Sequence, residues 1–332
     1  MKVNTNADSI ERGGVHRALL GQLSDMDLRL LKVFKSVADC GGMTAAEMEL
    51  NIGTSTVSRH IKDLETRLGL RLCRRGRAGF ALTAEGQRVY EETQRLLGAV
   101  DAFRSSLDDI HQRMGGRLDL ALFDKTASNP AAHIHAAIAR FAELAPEVEL
   151  NLHVASTNAI VQGLMDGSYS VGVMPVHRNL QTLSYTPLFM EAMRLYCGTQ
   201  HPLFASKTIP TDWAGLREHH FAGLGYNSPN MEFSHQAKLQ RRATGFDQEA
   251  IATLVLSGKY LGFLPDHYAE SFEQKGLVRA IRPEVFRYDC RFVSVLRASP
   301  APSRAAQAFQ QCLVDAHTTA STQAAGGNHH LL

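Results

Sequence analysis

Residues 44–68 have the sequence TAAEMELNIGTSTVSRHIKDLETRL, and this stretch decides the fold of the N-terminal part of the chain. The pattern predicts two short helices joined by a tight turn at Asn51-Ile52-Gly53, where Gly53 provides the backbone freedom of the turn. In the first helix, Thr44 and Glu47 have the spacing of a capping box, which would fix its start. Two helices with so short a turn between them are typical of a helix-turn-helix.

The second helix of the pair begins at Thr54 or Ser55 and is amphipathic. Its apolar residues recur at helical spacing, which predicts one buried face made of Val57, Ile61, Leu64 and Leu68. The opposite face holds Ser58, Arg59, Lys62 and Arg67. In a helix-turn-helix the second helix lies in the DNA major groove. We therefore predict DNA contacts from its polar residues, which are Thr54, Ser55, Thr56, Ser58, Arg59 and Lys62.

Charge is distributed unevenly along the chain. The net charge is +2, but residues 1–80 hold 13 Lys/Arg and 9 Asp/Glu, whereas the remainder holds 22 and 24. Within residues 54–80, seven basic residues accompany only Asp63 and Glu65. A basic patch confined to one small domain favours a polyanion as its partner, although a basic surface without a partner would have the same composition.

Both flanks of the helix pair carry further signals. Before it, Ser24 and Asp27 have capping-box spacing and open another helix. After it, two short apolar segments around a Gly/Arg-rich bend predict a hairpin, which gives a winged domain over residues 24–82. Basic residues at the tip of this wing can reach phosphates or the minor groove, and they are Arg74, Arg75 and Arg77.

A long helix follows over residues 83–114, with Thr83 as its cap. Its stripe of residues at alternating spacings of four and three comprises Val89, Thr93, Leu96, Val100, Phe103, Leu107, Ile110 and Met114. Thr93 is the only polar member. A core helix would have a wider apolar face, so the pattern favours a helix that pairs two copies of the chain.

Beyond Gly115-Gly116 the periodicity changes. Strands are predicted at residues 118–122, 150–154, 171–174, 193–197, 261–264 and 292–296. Helices are predicted from Asn129-Pro130 and near residues 158–166, 247–257 and 266–275. Strands that alternate with helices indicate a parallel α/β sheet. At the two ends, residues 1–23 are predicted to be a flexible extension and residues 319–332 a disordered tail.

The sequence disfavours several classes of site. The five cysteines stand far apart, so neither a disulfide framework nor a zinc site is indicated, and Cys197 and Cys290 are expected to be ordinary buried thiols. His133 and His135 would lie on different faces of a helix, so no metal and no cofactor is expected. No catalytic motif pairs a nucleophile with a base, which argues against an enzyme. No apolar run has the length of a signal peptide or a membrane span, which predicts a cytoplasmic protein.

The stretch 44–68 resembles the DNA-binding segment of LysR-type transcriptional regulators, and the resemblance extends over about residues 23–313. It implies an N-terminal winged helix-turn-helix, a long linker helix that dimerises, and an α/β regulatory region at residues 117–318 that resembles type-2 periplasmic binding proteins. Lobe I would comprise about residues 117–187 and 289–318, and lobe II about 188–288. Thr54-Ser55 stands where many members have Gln-Pro, so the base preference should differ.

By this resemblance a small-molecule effector binds between the lobes. In open α/β sheets, ligands lie beyond the carboxyl ends of the strands, where helix N-termini present free N–H groups. Two loops are placed in this way, with the candidate residues Lys125, Thr126, Ser128, Ser156 and Thr157. Their hydroxyls and the charge of Lys125 favour a small carboxylate or similar anion, although Ser128 and Thr157 could equally be helix caps. Met174, Asn227 and Ser228 are added by the resemblance alone.

The function predicted from these features is DNA-dependent regulation of transcription in response to an effector. Its partners would be double-stranded DNA, the effector, further copies of the chain as a homodimer or homotetramer, and RNA polymerase. The alternative is a cytoplasmic small-molecule binding protein or an enzyme that uses the α/β lobes and carries an incidental basic N-terminal domain. DNA binding that weakens with salt distinguishes the two.

Overall fold

A computed structural model of the chain describes residues 22–76, 79–110, 114–176, 179–226 and 228–326. The chain forms two compact units, Met1–Leu97 and Gly98–Leu332. The predicted extension 1–23 lies outside the described residues except for Gln22 and Leu23.

The described part of the first unit contains α1 (Asp25–Asp39), α2 (Met43–Leu50), α3 (Thr54–Leu68), β1 (Cys73–Gly76), β2 (Gly79–Leu82) and the start of α4 (Ala84–Ile110). The capping box of α1 is confirmed. The Ser24 hydroxyl accepts from the backbone N–H of Asp27 at 3.4 Å, and the Asp27 carboxylate accepts from the backbone N–H of Ser24 at 2.8 Å. This reciprocal pair fixes the first turn of α1.

The start of α2 differs from the prediction. Gly42 occupies the N-cap position, and its carbonyl accepts from the N–H of Ala46 at 3.1 Å, so Thr44 lies inside the first turn and caps nothing. Asn51, with φ 51°, is the left-handed residue that ends α2. Gly53 has an ordinary φ of −60° and is the N-cap of α3. The turn therefore lies where the sequence placed it, but Asn51 rather than Gly53 adopts the special conformation.

The apolar face of α3 is buried as predicted, with Val57, Ile61 and Leu64 in the core of the unit and Leu68 packed against it. The hairpin is also confirmed, because β1 and β2 pair in antiparallel register from Cys73↔Leu82 to Gly76↔Gly79. Its arms are anchored at their base: the Thr83 hydroxyl donates to the carbonyl of Arg71 at 2.6 Å and accepts from the N–H of Gly86 at 2.8 Å. Thr83 is thus the cap of α4, as predicted.

The predicted stripe of α4 is divided along the helix. Val89 and Leu96 pack against the core of the first unit, and the hydroxyl of buried Thr93 donates to the carbonyl of Val89 at 2.7 Å. Further along, Phe103 and Leu107 are 64% and 41% exposed. The first half of the stripe is therefore covered by its own domain, whereas Phe103 and Leu107 in the second half are exposed and Met114 packs against the core of the second unit.

The second unit is built on one mixed sheet. Its described strands are β3 (Gly116–Leu122), β4 (Val148–Val154), β5 (Val171–Pro175), β6 (Leu183–Gly198), β7 (His220–Leu224), β8 (Gln240–Gly245), β9 (Leu261–Pro265), β10 (Val278–Ala280) and β11 (Arg287–Arg297). They follow the order β4-β3-β5-β11-β6-β9-β7-β8, and β10 pairs with β6.

The predicted parallel sheet is correct only for the two ends of this order. β3 is parallel to β4 and β5, and β7 is parallel to β8 and β9, but the central strands β6 and β11 are antiparallel to each other and to their neighbours. β6 has 16 residues and β11 has 11, so both continue from one lobe into the other. These long strands are the physical connection between the lobes.

The remaining helices are α5 (Ile134–Leu144), α6 (Thr157–Asp166), α7 (Trp213–Leu216), α8 (Pro229–Gln236), α9 (Gln248–Leu256), α10 (Asp266–Gln274) and α11 (Arg304–Gly326). A helix beginning at Asn129-Pro130 is wrong, because the side-chain oxygen of Asn129 accepts from the N–H of Ala131 at 2.9 Å and makes a turn there instead. The tail prediction is also wrong up to Gly326, the end of α11; residues 327–332 lie outside the described residues. Alanine-rich sequence favours helix, and it continues a helix already begun.

The core of the regulatory unit runs through both lobes and is rich in aromatic side chains, including Phe123, Phe292 and Phe309. A smaller cluster around Ile251 and Val255 lies in lobe II. Within the described residues, no helix combines the length and the apolar character needed to cross a membrane.

Candidate functional sites

The first candidate site is the outward face of α3. Ser55, Arg59 and Lys62 are exposed, and Thr54, Thr56 and Ser58 are half-buried. Among the described residues, neither Arg59 nor Lys62 forms a salt bridge. Because the opposite face of the helix is buried, the backbone holds these side chains in one orientation toward solvent. Such a rigid row of hydroxyls and cations has the chemistry to contact base edges and phosphates.

Two residues of this region bind other side chains of the same unit. The Thr54 hydroxyl donates to the carboxylate of Glu47, which joins the end of α2 to the start of α3. Glu47 therefore fixes the helix pair rather than capping α2. Arg67 is exposed with Arg59, as predicted, but its guanidinium forms a salt bridge with the fully buried carboxylate of Asp27.

The wing stands beside α3 because Glu65 connects them. The Glu65 carboxylate accepts from the backbone N–H groups of Leu72 at 2.7 Å and Cys73 at 3.2 Å. Arg74 on β1 is exposed. The main chain of Arg75 pairs with Phe80. The side chain of Arg75 and all of Arg77 lie outside the described residues, so their predicted roles stay predictions.

The second candidate site lies between the two lobes of the regulatory unit, where the loop after β3 meets lobe II. The carboxylate of Asp124 accepts from the backbone N–H of Gln248, the first residue of α9, at 2.6 Å. Lys125 forms a salt bridge with Glu249 and lies 4.7 Å from the ring centroid of Tyr268. The predicted charge of Lys125 is therefore present, but it is neutralised by a residue of the opposite lobe.

Further along the same loop, a hydrogen-bonded chain reaches the central strand β6. The Ser128 hydroxyl lies 3.0 Å from Nδ1 of His267, and Nε2 of His267 lies 2.9 Å from the Glu191 carboxylate. Asn129 donates to the same Glu191 oxygen at 3.2 Å. The Glu191 and His267 side chains are 3% and 6% exposed, so their contact is shielded from water, whereas Ser128 at the other end of the chain is exposed.

The second predicted loop is placed differently. The Ser156 hydroxyl caps α6 by accepting from the N–H of Ala159 at 3.4 Å. Thr157 is buried, and its hydroxyl has no partner.

Met174 is a buried core residue of β5. Ser228 caps α8 through the N–H of Met231, whereas Asn227 lies outside the described residues. Thr126 is buried in the short 3₁₀ turn after Lys125.

Two family models match the chain. One, described as the LysR substrate binding domain, matches residues 111–318, and the other, described as a bacterial regulatory helix-turn-helix protein of the lysR family, matches residues 28–87. The chain belongs to the LysR family of transcriptional regulators.

Relatives and solved structures agree with this assignment. The HTH-type transcriptional activator BauR of Pseudomonas aeruginosa is 37% identical over 296 residues, which cover 89% of this chain and 96% of BauR. The SDS degradation transcriptional activation protein of Pseudomonas sp. is 28% identical over 87% of this chain and 96% of that protein. The crystal structure of CbnR, a LysR family transcriptional regulator, has a TM-score of 0.58 at 18% identity and covers 87% of this chain and 99% of its own. This LysR-type regulator therefore acts on DNA and is not an enzyme.

Three residues of this regulator near the interlobe loop, whose pKa values are raised by burial, were missed in the sequence analysis. Burial raises the pKa of Asp124 to about 6, because a carboxylate loses solvation there. Burial also raises the pKa values of Tyr226 and Tyr288. Asp124 and Tyr226 follow the ends of β3 and β7, so the rule that placed Lys125 could have identified both. Nothing in the sequence indicates that Glu191, in the middle of a strand, faces them.

The other features of the LysR-type regulator do not form sites. Cys197 and Cys290 are buried thiols whose pKa values are raised by burial, which makes them poor nucleophiles. Within the described ranges, no three His, Cys, Asp or Glu residues are grouped so as to hold a metal ion. A groove of about 510 Å³ lies between α5 and α11, and the Arg140–Asp315 salt bridge occupies its polar wall.

Proposed function

We propose that this regulator recognises its operator with the N-terminal half of α3 and places the wing on the flanking phosphates. The observation that carries this proposal is the exposure of Arg59 and Lys62 on the one face of α3 that the core leaves open. Arg59 is suited to guanine, since a guanidinium can donate to O6 and N7 together, whereas Lys62 and Arg74 are suited to phosphates. A cytoplasmic location follows from this proposal, because the DNA that carries the operator lies in the cytoplasm.

We further propose that the regulator works as a dimer or tetramer and that its effector binds between the lobes. Support for the dimer comes from the open half of the α4 stripe at Phe103 and Leu107. Support for the effector site comes from the interlobe chain of contacts at Asp124, Lys125 and Ser128. A ligand there would favour one lobe arrangement and shift the population between DNA-bound states.

Binding of purified full-length protein to DNA tests operator recognition. A duplex selected by the wild type from a random pool serves as the operator, and affinity is measured by fluorescence anisotropy over a range of salt concentrations. Arg59→Ala should weaken binding by ~1–3 kcal/mol and relax specificity at one base pair, because it removes a bidentate base contact. Lys62→Ala should instead lower the slope of log affinity against log salt concentration by about one counterion. This reduction should be the same on every DNA sequence.

The control is Lys32→Ala, because Lys32 is an exposed basic residue on α1 rather than on α3. It should bind the operator like the wild type. Wild-type affinity and selectivity in Arg59→Ala would show that α3 does not read the bases.

A further inference from the structure

We propose that the interlobe cleft binds an effector that carries an ammonium group, with Asp124 as its principal carboxylate partner and Glu191 beside it. This inference rests on the proposed effector site and adds the chemical class of the molecule that enters it. It differs from the anion that the loop sequences suggested.

The two carboxylates are brought together by a short path of direct contacts. Asp124 opens the loop after β3, and Asn129 ends it by donating to Glu191 at 3.2 Å. On the lobe II side, Gln248 donates its backbone N–H to Asp124 at 2.6 Å, and His267 binds Glu191 at 2.9 Å. Direct hydrogen bonds therefore join the loop after β3 to the start of α9 and to the central strand β6, which in turn contacts α10.

The basic side chains beside these two carboxylates are already engaged. Lys125 is paired with Glu249 and lies against the Tyr268 ring. His267 contacts Ser128 through one ring nitrogen and Glu191 through the other. Among the described residues, no salt bridge includes Asp124. The charge left uncompensated in the cleft is therefore negative, which disfavours a carboxylate ligand and favours a cation.

Two buried oxygen atoms indicate which kind of group the cleft would bind. Gln248 is 2% exposed, and its side-chain oxygen Oε1 has no hydrogen-bond partner. The buried hydroxyl of Tyr226 also has no partner, and after burial the charge of Asp124 is the next cause of its raised pKa, so the two groups are close. An amide oxygen can only accept hydrogen bonds, so its partner must be a donor. An ammonium supplies three N–H donors, which matches Asp124, Gln248 and Tyr226.

The test uses four-carbon probes that differ only in their end groups: butylamine, butyrate and 4-aminobutyrate. Binding to the full-length protein is measured by the thermal shift of the regulatory unit and by calorimetry. Butylamine and 4-aminobutyrate should bind, and butyrate should not. Asp124→Asn should weaken amine binding by about tenfold or more, because the amide retains the oxygen that accepts from Gln248 but not the charge. Glu191→Gln should weaken it less.

The matched control is Glu147→Gln, since Glu147 is an exposed carboxylate of the same lobe. It should leave amine binding unchanged. If butyrate alone binds, and Thr157→Val abolishes that binding, the effector site stands and the ammonium assignment is overturned. Amine binding that is equal in the wild type, Asp124→Asn and Glu191→Gln would place the amine elsewhere and overturn it too. Failure of all three probes to bind would also overturn it, whereas operator binding tests the DNA-reading function separately.

Discussion

At the scale of single residues, two carboxylates of this regulator show how environment sets chemistry. Hydrogen bonds from the Arg67 guanidinium, and then from Ser24, hold the pKa of Asp27 well below its usual range. Asp124 accepts one backbone hydrogen bond and forms no salt bridge among the described residues, so burial outweighs the charge of Lys125 and its pKa rises to about 6. Asp27 belongs to a structural ion pair, whereas Asp124 is the carboxylate that we propose binds the effector.

The raised pKa of Asp124 predicts a specific dependence of stability on pH. Its ordinary value is 3.8, so the folded protein keeps a proton that the unfolded chain releases, and the contribution of Asp124 to the free energy of unfolding falls as pH rises from about 4 to about 6. Asp124→Asn removes this loss. We expect the variant to gain up to about 3 kcal/mol over the wild type across that window and to hold the gain above it.

Urea denaturation followed through the fluorescence of Trp213, the one tryptophan of the chain, measures this in the regulatory unit. The charges that act on Asp124 are those of Asp247, Lys125 and Glu191, and they are unchanged in the variant. A stability difference that stays constant from about pH 4 to about pH 8 would contradict the assignment.

Whether an interaction could be predicted from the sequence depends on how far apart its two residues lie along the chain. The Ser24–Asp27 capping box was predictable because its partners are three residues apart and need no tertiary context. The Thr44–Glu47 box has the same spacing but fails, because Gly42 starts the helix earlier and Glu47 is taken by Thr54. The pairing of Asp27 with Arg67 joins positions 40 residues apart, which no local pattern reveals.

Among the helices and strands, segments with a strong hydrophobic pattern were predicted correctly, whereas a polar strand at the edge of the sheet was missed. The strands at β3, β5 and β9 were predictable because they are apolar and buried. β8 was missed, since it lies at the edge of the sheet and its sequence, QRRATG, is polar and half-exposed. Edge strands of this kind carry too little hydrophobic signal to be recognised.

The contact between α4 and the wing gives a prediction at this scale. A Cβ atom at Gly86 would lie 2.0 Å from the carbonyl oxygen of Leu72, at the base of the wing. Helix propensity alone would favour alanine by about 1 kcal/mol, but a backbone atom at this distance cannot move without displacing the hairpin. Gly86→Ala should therefore destabilise the DNA-binding unit by about 1–3 kcal/mol and weaken operator binding.

Thermal denaturation by circular dichroism and anisotropy on the selected operator measure both effects. The control is Glu85→Ala, because Glu85 is the exposed neighbour in the first turn of α4. Gly86→Ala with wild-type stability and affinity would mean that the wing does not depend on this close approach.

At the scale of the whole molecule, regulation requires that the two lobes share a conformational equilibrium. Each lobe is crossed by β6 and β11, which pair along Arg287↔Arg194 to Arg297↔Leu183 with a register shift between Phe292 and Val293. The apolar core continues from one lobe to the other along these strands, whereas the contacts of the loop after β3 with lobe II are polar. Polar contacts between rigid lobes can be exchanged for ligand contacts at small net free energy, so the cleft is the natural place for a switch.

The assembly of the molecule depends on α4 and gives the last prediction. The periodicity alone would nominate Leu96 and Phe103 together, but Leu96 packs against the core of its own unit, so its substitution would confuse folding with association. Phe103 and Leu107 are one helical turn apart and are exposed, so they are the cleaner pair. Phe103→Glu with Leu107→Glu should convert the wild-type oligomer to monomers, because two carboxylates cannot be buried against each other in an apolar helix seam.

Sedimentation velocity measures this conversion to monomers. The control is the exposed pair Glu92→Gln with Arg95→Gln on the same helix, which should sediment like the wild type. Operator affinity should fall in the Phe103 and Leu107 variant alone, because a monomer cannot occupy two half-sites about one helical turn apart. A variant that still sediments as the wild-type oligomer would exclude this part of α4 from the dimer interface.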